Sequence, residues 1–419
     1  MPAPAHGIPE ALTREALAAL DAADPLAVFR DRFELPDRVI YLDGNSLGPV
    51  PRETPARIAD VVGRQWGVSL IRAWTDHDWI GLPLRVGAKI GRLIGGAPDS
   101  TVVADSTSVN VFKLLAAALE QRPGRQTILT ETGNFPTDLY MAQGLAALLG
   151  RGHVLRAVAD PLPALGPDVA VLMLTHVNYR SGAMHDLAAV TRAAHAAGTL
   201  VLWDLSHSVG AVPLQLAGDD ADLAVGCGYK YLNGGPGAPA FLYVAPRLQA
   251  GLRLPLTGWL GHAEPFAFDP EYRPAQGIAR AVVGTPPVLS LAALEVGVDL
   301  MLQAPMAAVR AKSLRLADLF MALMARECGD GGFVPLTPAA AARRGSQVSF
   351  SHPDGYAIMQ ALIERGVIGD FRAPDVLRFG LAPLYLRYVD VWDAVAVLRD
   401  VMSTGVWREE RFGARRAVT

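Results

Sequence analysis

The lysines of the chain come first, because a lysine amine can form an imine with a carbonyl carbon. They are Lys89, Lys113, Lys230 and Lys312. Lys89 and Lys312 lie in amphipathic segments that are typical of a solvated helix face, and Lys113, in VFKLLAAAL, allows a structural or a functional interpretation. Lys230 differs because it ends an apolar run, DLAVGCGYK, just before the loop YLNGGPG. A lysine at such a strand end is partly desolvated and loses its proton more readily, although an ordinary edge lysine is the alternative.

A second group of residues indicates which compound such a lysine would bind. Asp204 closes the apolar strand TLVLWD, so its carboxylate is buried and needs a cationic or hydrogen-bonding partner. A protonated pyridine nitrogen is such a partner, and the contact keeps a pyridine ring electron-poor. Capping of the next helix is the alternative. The pattern Asp204-x-x-His207, followed by the strand-end lysine, is more specific than either residue alone.

Two strand-to-helix turns supply further candidates. Thr107 and Ser108 open the helix VNVFKLLAAAL, where free amides and hydroxyls hold a phosphate, and a plain N-cap is the alternative. Phe135, in the turn Asn134-Phe135-Pro136-Thr137-Asp138, can stack on a flat ring or belong to the core.

The elements that position these residues alternate between apolar strands and amphipathic helices from about Thr101 onward. This order predicts an α/β fold with a mainly parallel sheet covered by helices on both faces. Ligands of such sheets bind at the carboxyl ends of the strands, where the candidate residues lie. We predict an N-terminal arm and active-site loop over residues 1–50, a large domain over 51–287 and a smaller α+β domain over 288–419.

Composition narrows the class of protein. The 419 residues carry a formal charge of −3, with no basic stripe for nucleic acid, no signal-peptide pattern and no run long enough to span a membrane. Cys227 and Cys328 give no disulfide framework, and the histidines give no metal spacing. These observations predict a cytoplasmic enzyme without a metal.

The chain resembles the kynureninases, which are fold-type-I, aminotransferase-like enzymes that use pyridoxal 5'-phosphate (PLP). The resemblance covers residues 40–390 and is carried by YLDGNSLGPVP, STSVN, GNFPTD, LTHVNYRSGAMHDL, WDLSHSVGAVPL, GCGYKYLNGGPGAPAFLYV, LTGWLGH and VVGTPPVLS. It implies hydrolysis of L-kynurenine to anthranilate and L-alanine, a reaction of tryptophan catabolism. It also implies a Schiff base between PLP and Lys230, and cofactor contacts from Thr107, Ser108, Phe135, Pro136, Thr137, Asp138, Thr175, Asp204, His207 and Tyr229.

The resemblance also implies how the substrate binds. Arg378 matches the arginine that binds the α-carboxylate, and its guanidinium fork suits a carboxylate, although a structural salt bridge is the alternative. Tyr229 is the candidate proton donor to the β-carbon or a phosphate ligand. Trp259 and Thr285 are expected to reach the cofactor phosphate from a neighbouring subunit, which implies a homodimer. The remaining expected substrate contacts are Asn45, Trp66 and Gly284. Trp66 and Gly284-Thr285 are expected to lie around the aromatic ring of the substrate and to favour kynurenine over its 3-hydroxy analogue, with an apolar anchor as the alternative for Trp66.

Three alternatives stay open from the residues. A cysteine desulfurase or class V aminotransferase is the first, and Cys328 is the candidate nucleophile of a desulfurase. A dinucleotide-dependent oxidoreductase would need a G-x-G-x-x-G turn, which is not visible. A non-catalytic regulatory protein on the same fold is the third, and Lys230 together with Asp204 argues against it.

Overall fold

A computed structural model describes residues 12–415. The first eleven residues of the predicted N-terminal arm and the last four of the chain lie outside the described residues.

The strands of the described chain form three sheets. The largest has seven strands and lies within residues 101–244, and a four-stranded and a two-stranded sheet involve the later part of the chain. The strands are β1 Ile40–Tyr41, β2 Thr101–Val103, β3 Thr127–Glu131, β4 Val154–Val158, β5 Val169–Thr175, β6 Leu200–Asp204, β7 Leu223–Gly226, β8 Phe241–Val244, β9 Val334–Pro335, β10 Gln347–Ser351, β11 Val367–Ile368, β12 Asp370–Arg372 and β13 Val376–Gly380.

The helices follow the predicted alternation. Ser106 begins one of them with its hydroxyl accepting from the amide of Val109, and Gly150, in the left-handed region, ends the next. The α-helices are α1 Arg14–Ala22, α2 Thr54–Asp60, α3 Ala73–Asp76, α4 Leu82–Leu93, α5 Thr107–Glu120, α6 Pro136–Leu149, α7 Leu187–Ala196, α8 Pro246–Gln249, α9 Val288–Gln303, α10 Met306–Glu327, α11 Gly355–Glu364, α12 Tyr388–Thr404 and α13 Glu410–Gly413. A π-helical segment, Val61–Trp66, continues α2.

The seven-stranded sheet has the order β2-β8-β7-β6-β5-β3-β4. The five neighbouring strands β7, β6, β5, β3 and β4 run parallel to one another, which confirms the mainly parallel sheet. β8 is antiparallel to both of its neighbours, a direction that the apolar run FLYV could not reveal. β4 was not predicted, and its half-exposed residues at the sheet edge explain why the apolar signal was weak.

Apolar side chains cover both faces of this sheet. Val201 and Trp203 of β6 belong to one hydrophobic cluster, whereas Leu200 and Leu202 belong to another. Successive side chains of a strand point to opposite faces, so a fully buried strand such as β6 must be covered on both sides. The sheet is therefore a rigid support whose carboxyl edge can hold a site.

The last part of the chain carries the four-stranded sheet, with the order β12-β13-β10-β9. The N-terminal segment packs against this last part of the chain. β1 pairs in parallel with β11 in the two-stranded sheet, and Arg14 of α1 binds Asp393 of α12 at 2.8 Å. These contacts fit the predicted grouping of the arm with the smaller domain, whose boundaries stay a prediction.

Within residues 12–415, no single helix has the length and apolar character needed to cross a membrane. Only α9 and α10 taken together reach those criteria, with a bend of 87° at the break between them.

Candidate active site

Three segments meet at the carboxyl edge of the large sheet. Thr175 ends β5 and Asp204 ends β6, and the two residues are register partners in parallel strands. The sequence suggested that Lys230 is the last residue of its strand. In the structure β7 ends before it, and Lys230 lies beyond the strand after a short turn. Parallel strands deliver their ends to one edge, which brings these residues together.

The structure separates Lys230 from the other lysines. Lys89 binds Glu295 at 2.9 Å, and Lys113 is buried against Asp105 at 2.7 Å. Lys312 binds Asp24 at 2.6 Å and is buried, so the expected solvated helix face is wrong for it. The described contacts of Lys230 are different in kind, because its Nζ lies 3.3 Å from Nε2 of His207 and near the ring of Tyr229.

A loop from the N-terminal segment packs on the backbone that carries this lysine. The amide of Gly48 donates to the carbonyl of Tyr229 at 2.8 Å. A Cβ at position 48 would lie 2.3 Å from the carbonyl oxygen of Lys230, so only glycine allows this approach. The segment YLDGNSLG thus packs on the backbone that carries Lys230.

Two buried carboxylates, Asp204 and Asp138, face the lysine. Oδ1 of Asp204 accepts from the amide and hydroxyl of Ser206 at 2.8 and 2.6 Å, which is a local turn and not the helix cap given as the alternative. Burial raises the pKa of Asp204, and Lys230 opposes the rise. Burial and then the charge of Asp204 raise the pKa of Asp138 well above its ordinary value.

These carboxylates fit the predicted cofactor. Oδ2 of Asp138 is buried without a hydrogen-bond partner among the described residues. Two buried acids with raised pKa values beside one lysine leave negative charge undercompensated. A protonated ring nitrogen would supply the missing donor and positive charge, so the donor set suits a pyridinium ring.

Burial also fixes the protonation of the flanking side chains. It lowers the pKa of His207 well below its ordinary value, and the charge of Lys230 lowers it further, so the imidazole is neutral. Burial raises the pKa of Tyr229, which keeps the phenol protonated. A protonated phenol beside Lys230 can act as a proton donor.

The predicted phosphate and ring contacts lie on two helix starts. Thr107 and Ser108 are the first residues of α5, where backbone amides lack intrahelical acceptors. Phe135 precedes Pro136 at the start of α6, is partly exposed, and meets the ring of Tyr179 edge-on at 5.3 Å. Thr137 and the buried Asp138 follow on the same turn.

A polar network ties that turn to the sheet, and the sequence did not single out its central residue. Asn134 is buried, its Nδ2 donates to Oγ1 of Thr130 at 3.0 Å, and its Oδ1 accepts from the hydroxyl of Thr175. The sequence feature that could have identified Asn134 is its position in the strand-to-helix turn next to Phe135. The network couples the position of the aromatic residue to the end of β5.

Arg378 lies in β13 as a buried residue with well-placed acceptors. Nε donates to Oδ1 of Asp370 at 2.8 Å and Nη2 to Oδ2 of the same carboxylate. Nη1 donates to the carbonyl of Tyr179 and Nη2 to Oγ of Ser46, both at 2.7 Å. The salt bridge named as the structural alternative is therefore present, and it orients the guanidinium beside the loop that covers Lys230.

Asn45 lies on that loop and is fully buried. Its Nδ2 donates to Oε1 of Gln347 at 3.4 Å, and its Oδ1 lies where a Cβ of Gly380 would be. In this structure the side chain packs between the loop and the four-stranded sheet.

Trp66 and the 284–285 segment lie together on another surface. Trp66 is 57% exposed, so it is not a buried anchor. It lines a cavity of about 410 Å³ with Trp79 and with Pro286 and Pro287, which directly follow Thr285. A Cβ at Gly284 would meet open space. The described contacts do not join Trp66, Thr285 or Trp259 to the Lys230 cluster within this one chain.

Comparison with known proteins shows to which family the chain belongs. It is 53% identical over 414 residues to a kynureninase of Burkholderia mallei (strain SAVP1), an alignment that covers 97% of this chain and all of the relative. A kynureninase of Pseudomonas fluorescens is 50% identical over the same length and coverage. The chain belongs to the kynureninase family. Residues 309–398 also match the model of the kynureninase C-terminal domain.

Solved structures agree with the fold. A mutant of C-DES with glycine covalently linked to its PLP cofactor has a TM-score of 0.78 at 18% identity, covering 88% of this chain and 99% of its own. A cysteine desulfurase of Thermococcus onnurineus NA1 has a TM-score of 0.76 at 17% identity, covering 90% and 98%. At this identity the likeness shows the fold-type-I architecture alone.

Family membership confirms the predicted activity and cofactor. The enzyme hydrolyses L-kynurenine to anthranilate and L-alanine with PLP. The desulfurase alternative is less favoured, and the state of Cys328 agrees: burial raises the pKa of its thiol to about 11, which disfavours the thiolate nucleophile that a desulfurase needs.

Proposed function

We propose that Lys230 carries the cofactor in this enzyme and that Asp204 faces its ring nitrogen. This assignment rests on the surroundings of the lysine. Its Nζ lies 3.3 Å from Nε2 of His207, and the nearby buried acids Asp204 and Asp138 lack a second positive charge. The other cofactor contacts of the proposal are Thr107, Ser108, Phe135, Pro136, Thr137, Asp138, Thr175, His207 and Tyr229. Their support is position: they lie on two helix starts, the end of β5 and the turns after β6 and β7.

The chemistry then divides among these side chains. When bound, PLP withdraws electrons from the bonds at the substrate α- and β-carbons. The amine of Lys230, neighboured by a neutral imidazole, removes the proton at the α-carbon. Tyr229 keeps its proton because burial raises its pKa. It supplies that proton to the β-carbon after water has added to the γ-carbonyl carbon and the Cβ–Cγ bond has broken to release anthranilate.

Substrate selection belongs to the same proposal. Arg378 receives the α-carboxylate, and Asn45 precedes Ser46 on the loop that contacts this arginine. Trp66 and Gly284 border the aromatic ring of the substrate, and this apolar surface favours kynurenine over the 3-hydroxy analogue. The support is that Trp66 shares its cavity with residues adjoining Thr285.

We also propose that the enzyme is a homodimer in which Trp259 and Thr285 complete the partner's site. Both residues are exposed on this chain, and Trp259 lies among the exposed aromatic rings of Phe266 and Phe268. Exposed apolar groups of this kind are typical of an interface. The buried, unpaired cysteines support a reducing, cytoplasmic location. Roles in tryptophan catabolism and in NAD biosynthesis are part of the proposal.

The assignment of Lys230 has a direct test. Purified enzyme should be yellow, and Lys230→Ala should abolish anthranilate release, measured by fluorescence, while still binding PLP noncovalently. Borohydride reduction of the wild-type enzyme followed by peptide mapping should place the label on Lys230. Because Lys113 is buried against Asp105, Lys113→Arg is a matched control that should keep the yellow colour. A label on any other lysine would refute the assignment.

A further inference from the structure

Two arginines share one carboxylate beside the site. Asp370 is buried and accepts from Arg378 through both of its oxygens. Its Oδ2 also accepts from Oγ of Ser46 and forms an ion pair with Nη2 of Arg372, each at 2.7 Å. Burial alone would raise the pKa of Asp370, but the charges of the two guanidinium groups hold that pKa below its ordinary value, so the carboxylate is ionised.

The two arginines are not equivalent. The side chain of Arg378 is 2% exposed, and its Nε, Nη1 and Nη2 all donate to protein acceptors. The side chain of Arg372 is 39% exposed. Within residues 12–415 its described acceptors, Asp370 and Ser46, are both reached by Nη2 alone. The open edge of Arg372, made of Nε and Nη1, thus faces solvent with donors to spare.

Arg372 is also close enough to act on the reacting groups. Its charge adds to the lowering of the pKa of His207 and opposes the rise in the pKa of Tyr229, the residues beside Lys230. It lies in β12, and its neighbour Asp370 is the register partner of Arg378 in β13. Residues two apart in a strand share a face, so the hairpin presents both guanidinium groups on the same face of its sheet.

We propose that Arg372 is a second substrate-binding residue, which contacts the α-carboxylate through its open edge. Arg378 keeps one N–H of Nη1 beyond its described bonds, so the carboxylate lies between a buried and an accessible guanidinium. Asp370 and Ser46 hold the two arginines at the spacing that one carboxylate can bridge. This inference rests on the proposal that Arg378 binds the substrate carboxylate.

The test compares ligands with and without that carboxylate. Loss of a charge-assisted contact in Arg372→Gln should raise KM for kynurenine, and Kd for L-alanine by calorimetry, about ten- to a hundredfold. The affinity for decarboxylated kynurenine, which lacks the α-carboxylate, should stay within about twofold of wild type, and kcat should fall much less than kcat/KM. Arg372→Lys should recover part of the affinity for L-alanine, since it restores charge without the fork.

Arg180 offers a matched control. Its side chain is equally exposed and binds Asp375 at 3.5 Å, next to the same hairpin. Arg180→Gln removes the same charge and should leave both affinities unchanged. Equal losses for the two ligands in Arg372→Gln, or no loss for L-alanine in either Arg372 variant, would refute the inference. Arg378→Lys separates the underlying proposal: if it leaves the affinity for L-alanine unchanged while Arg372→Gln lowers it, the role of Arg378 fails and that of Arg372 stands.

Discussion

At the scale of single residues, the site depends on charges held away from water. Lys230 could be proposed from the sequence because only four lysines had to be compared, and the structure accounts for the other three by ion pairs. The partners of those three were not predictable. Lys312 meets Asp24, which is distant in sequence, and the amphipathic pattern around a lysine does not tell a solvated face from a buried pair.

Asp43 predicts a pH dependence of ligand binding. Burial, and next the charge of Asp370, raise its pKa to about 7. Below that pH Asp43 is neutral, and Arg372, Arg378 and Asp370 together carry one net positive charge. Above it, the ionised Asp43 cancels that charge. Kd for L-alanine, measured by calorimetry from pH 6 to 8, should therefore rise with pH.

Asp43→Asn is the control for this prediction and should flatten the profile. The stability of the protein gives an independent measurement. The folded pKa of about 7 lies above the ordinary value of 3.8, so between these values the folded protein keeps a proton on Asp43 that the unfolded chain has lost. The free energy of unfolding therefore falls as the pH rises towards 7 and levels off above it. Tm should fall more from pH 5 to 7 in the wild type than in Asp43→Asn. Parallel profiles for the two proteins would contradict the assignment.

Trp66 predicts substrate choice. An exposed indole that shares a cavity with the apolar side chains of Trp79 and Leu289 offers few groups to an added hydroxyl, and the bare Gly284 lies two residues before Pro286 of that cavity. Apolar pockets discriminate only moderately, so kcat/KM should favour kynurenine over 3-hydroxykynurenine by about ten- to a few-hundredfold. Trp66→His should narrow or invert this ratio, with Trp74→His, on a neighbouring helix, as the control. Equal kcat/KM values in the wild type would end this interpretation.

At the scale of elements, local patterns predicted the supports but not their partners. The strand that ends at Asp204 and the helix that begins at Thr107 follow from apolar runs and capping residues. The direction of β8 and the cluster around Asp370 do not, because they depend on contacts between distant segments. Ser46 and Asp370 carried no local signal beyond their loop and short-strand contexts.

Lys113 connects two elements that flank the predicted phosphate site. Its Nζ lies 2.7 Å from Oδ2 of Asp105, just before α5, and 2.7 Å from the carbonyl of Ala281, in the segment that leads to Thr285. Lys113→Met leaves that carbonyl without its donor and should lower the free energy of unfolding by about 1–3 kcal/mol. Urea unfolding of the cofactor-free protein measures this, with the exposed Arg92→Met as the control.

The same variant should bind PLP more weakly, because the amides of Thr107 and Ser108 lie two and three residues after Asp105. Fluorescence titration of cofactor-free protein with PLP gives the change in Kd. An unchanged free energy of unfolding together with an unchanged Kd would show that Lys113 holds neither segment.

At the scale of the whole molecule, the described chain presents exposed apolar side chains around Trp66 and Trp259. Val68, Leu70 and Ile71 are exposed near Trp66, and Phe266 and Phe268 are exposed near Trp259. A monomeric protein rarely keeps so many large apolar side chains in water. The sequence alone could not reveal this, because whether an apolar residue is buried depends on the fold around it. A second copy of the chain would cover these surfaces.

Hybrid dimers test whether two chains share each site. Lys230→Ala removes the amine from its own site, and Thr285→Ala removes a group expected to serve the partner's site. A mixed dimer would contain one site that has lost both groups and one that has lost neither, so mixing the two variants should restore activity. Full recovery of the intact sites gives about a quarter of wild-type kcat per chain at random pairing, since half of the dimers are mixed.

The control mixes Lys230→Ala with Lys230→Arg, where every site lacks the native amine and no activity should return. Thr285→Ala must itself be impaired, which is measured first by its Kd for PLP. If Thr285 acted within its own chain, each mixed dimer would hold two defective sites and mixing would add nothing. Sedimentation at assay concentration gives the second criterion, since a fully active monomer is incompatible with a site built from two chains.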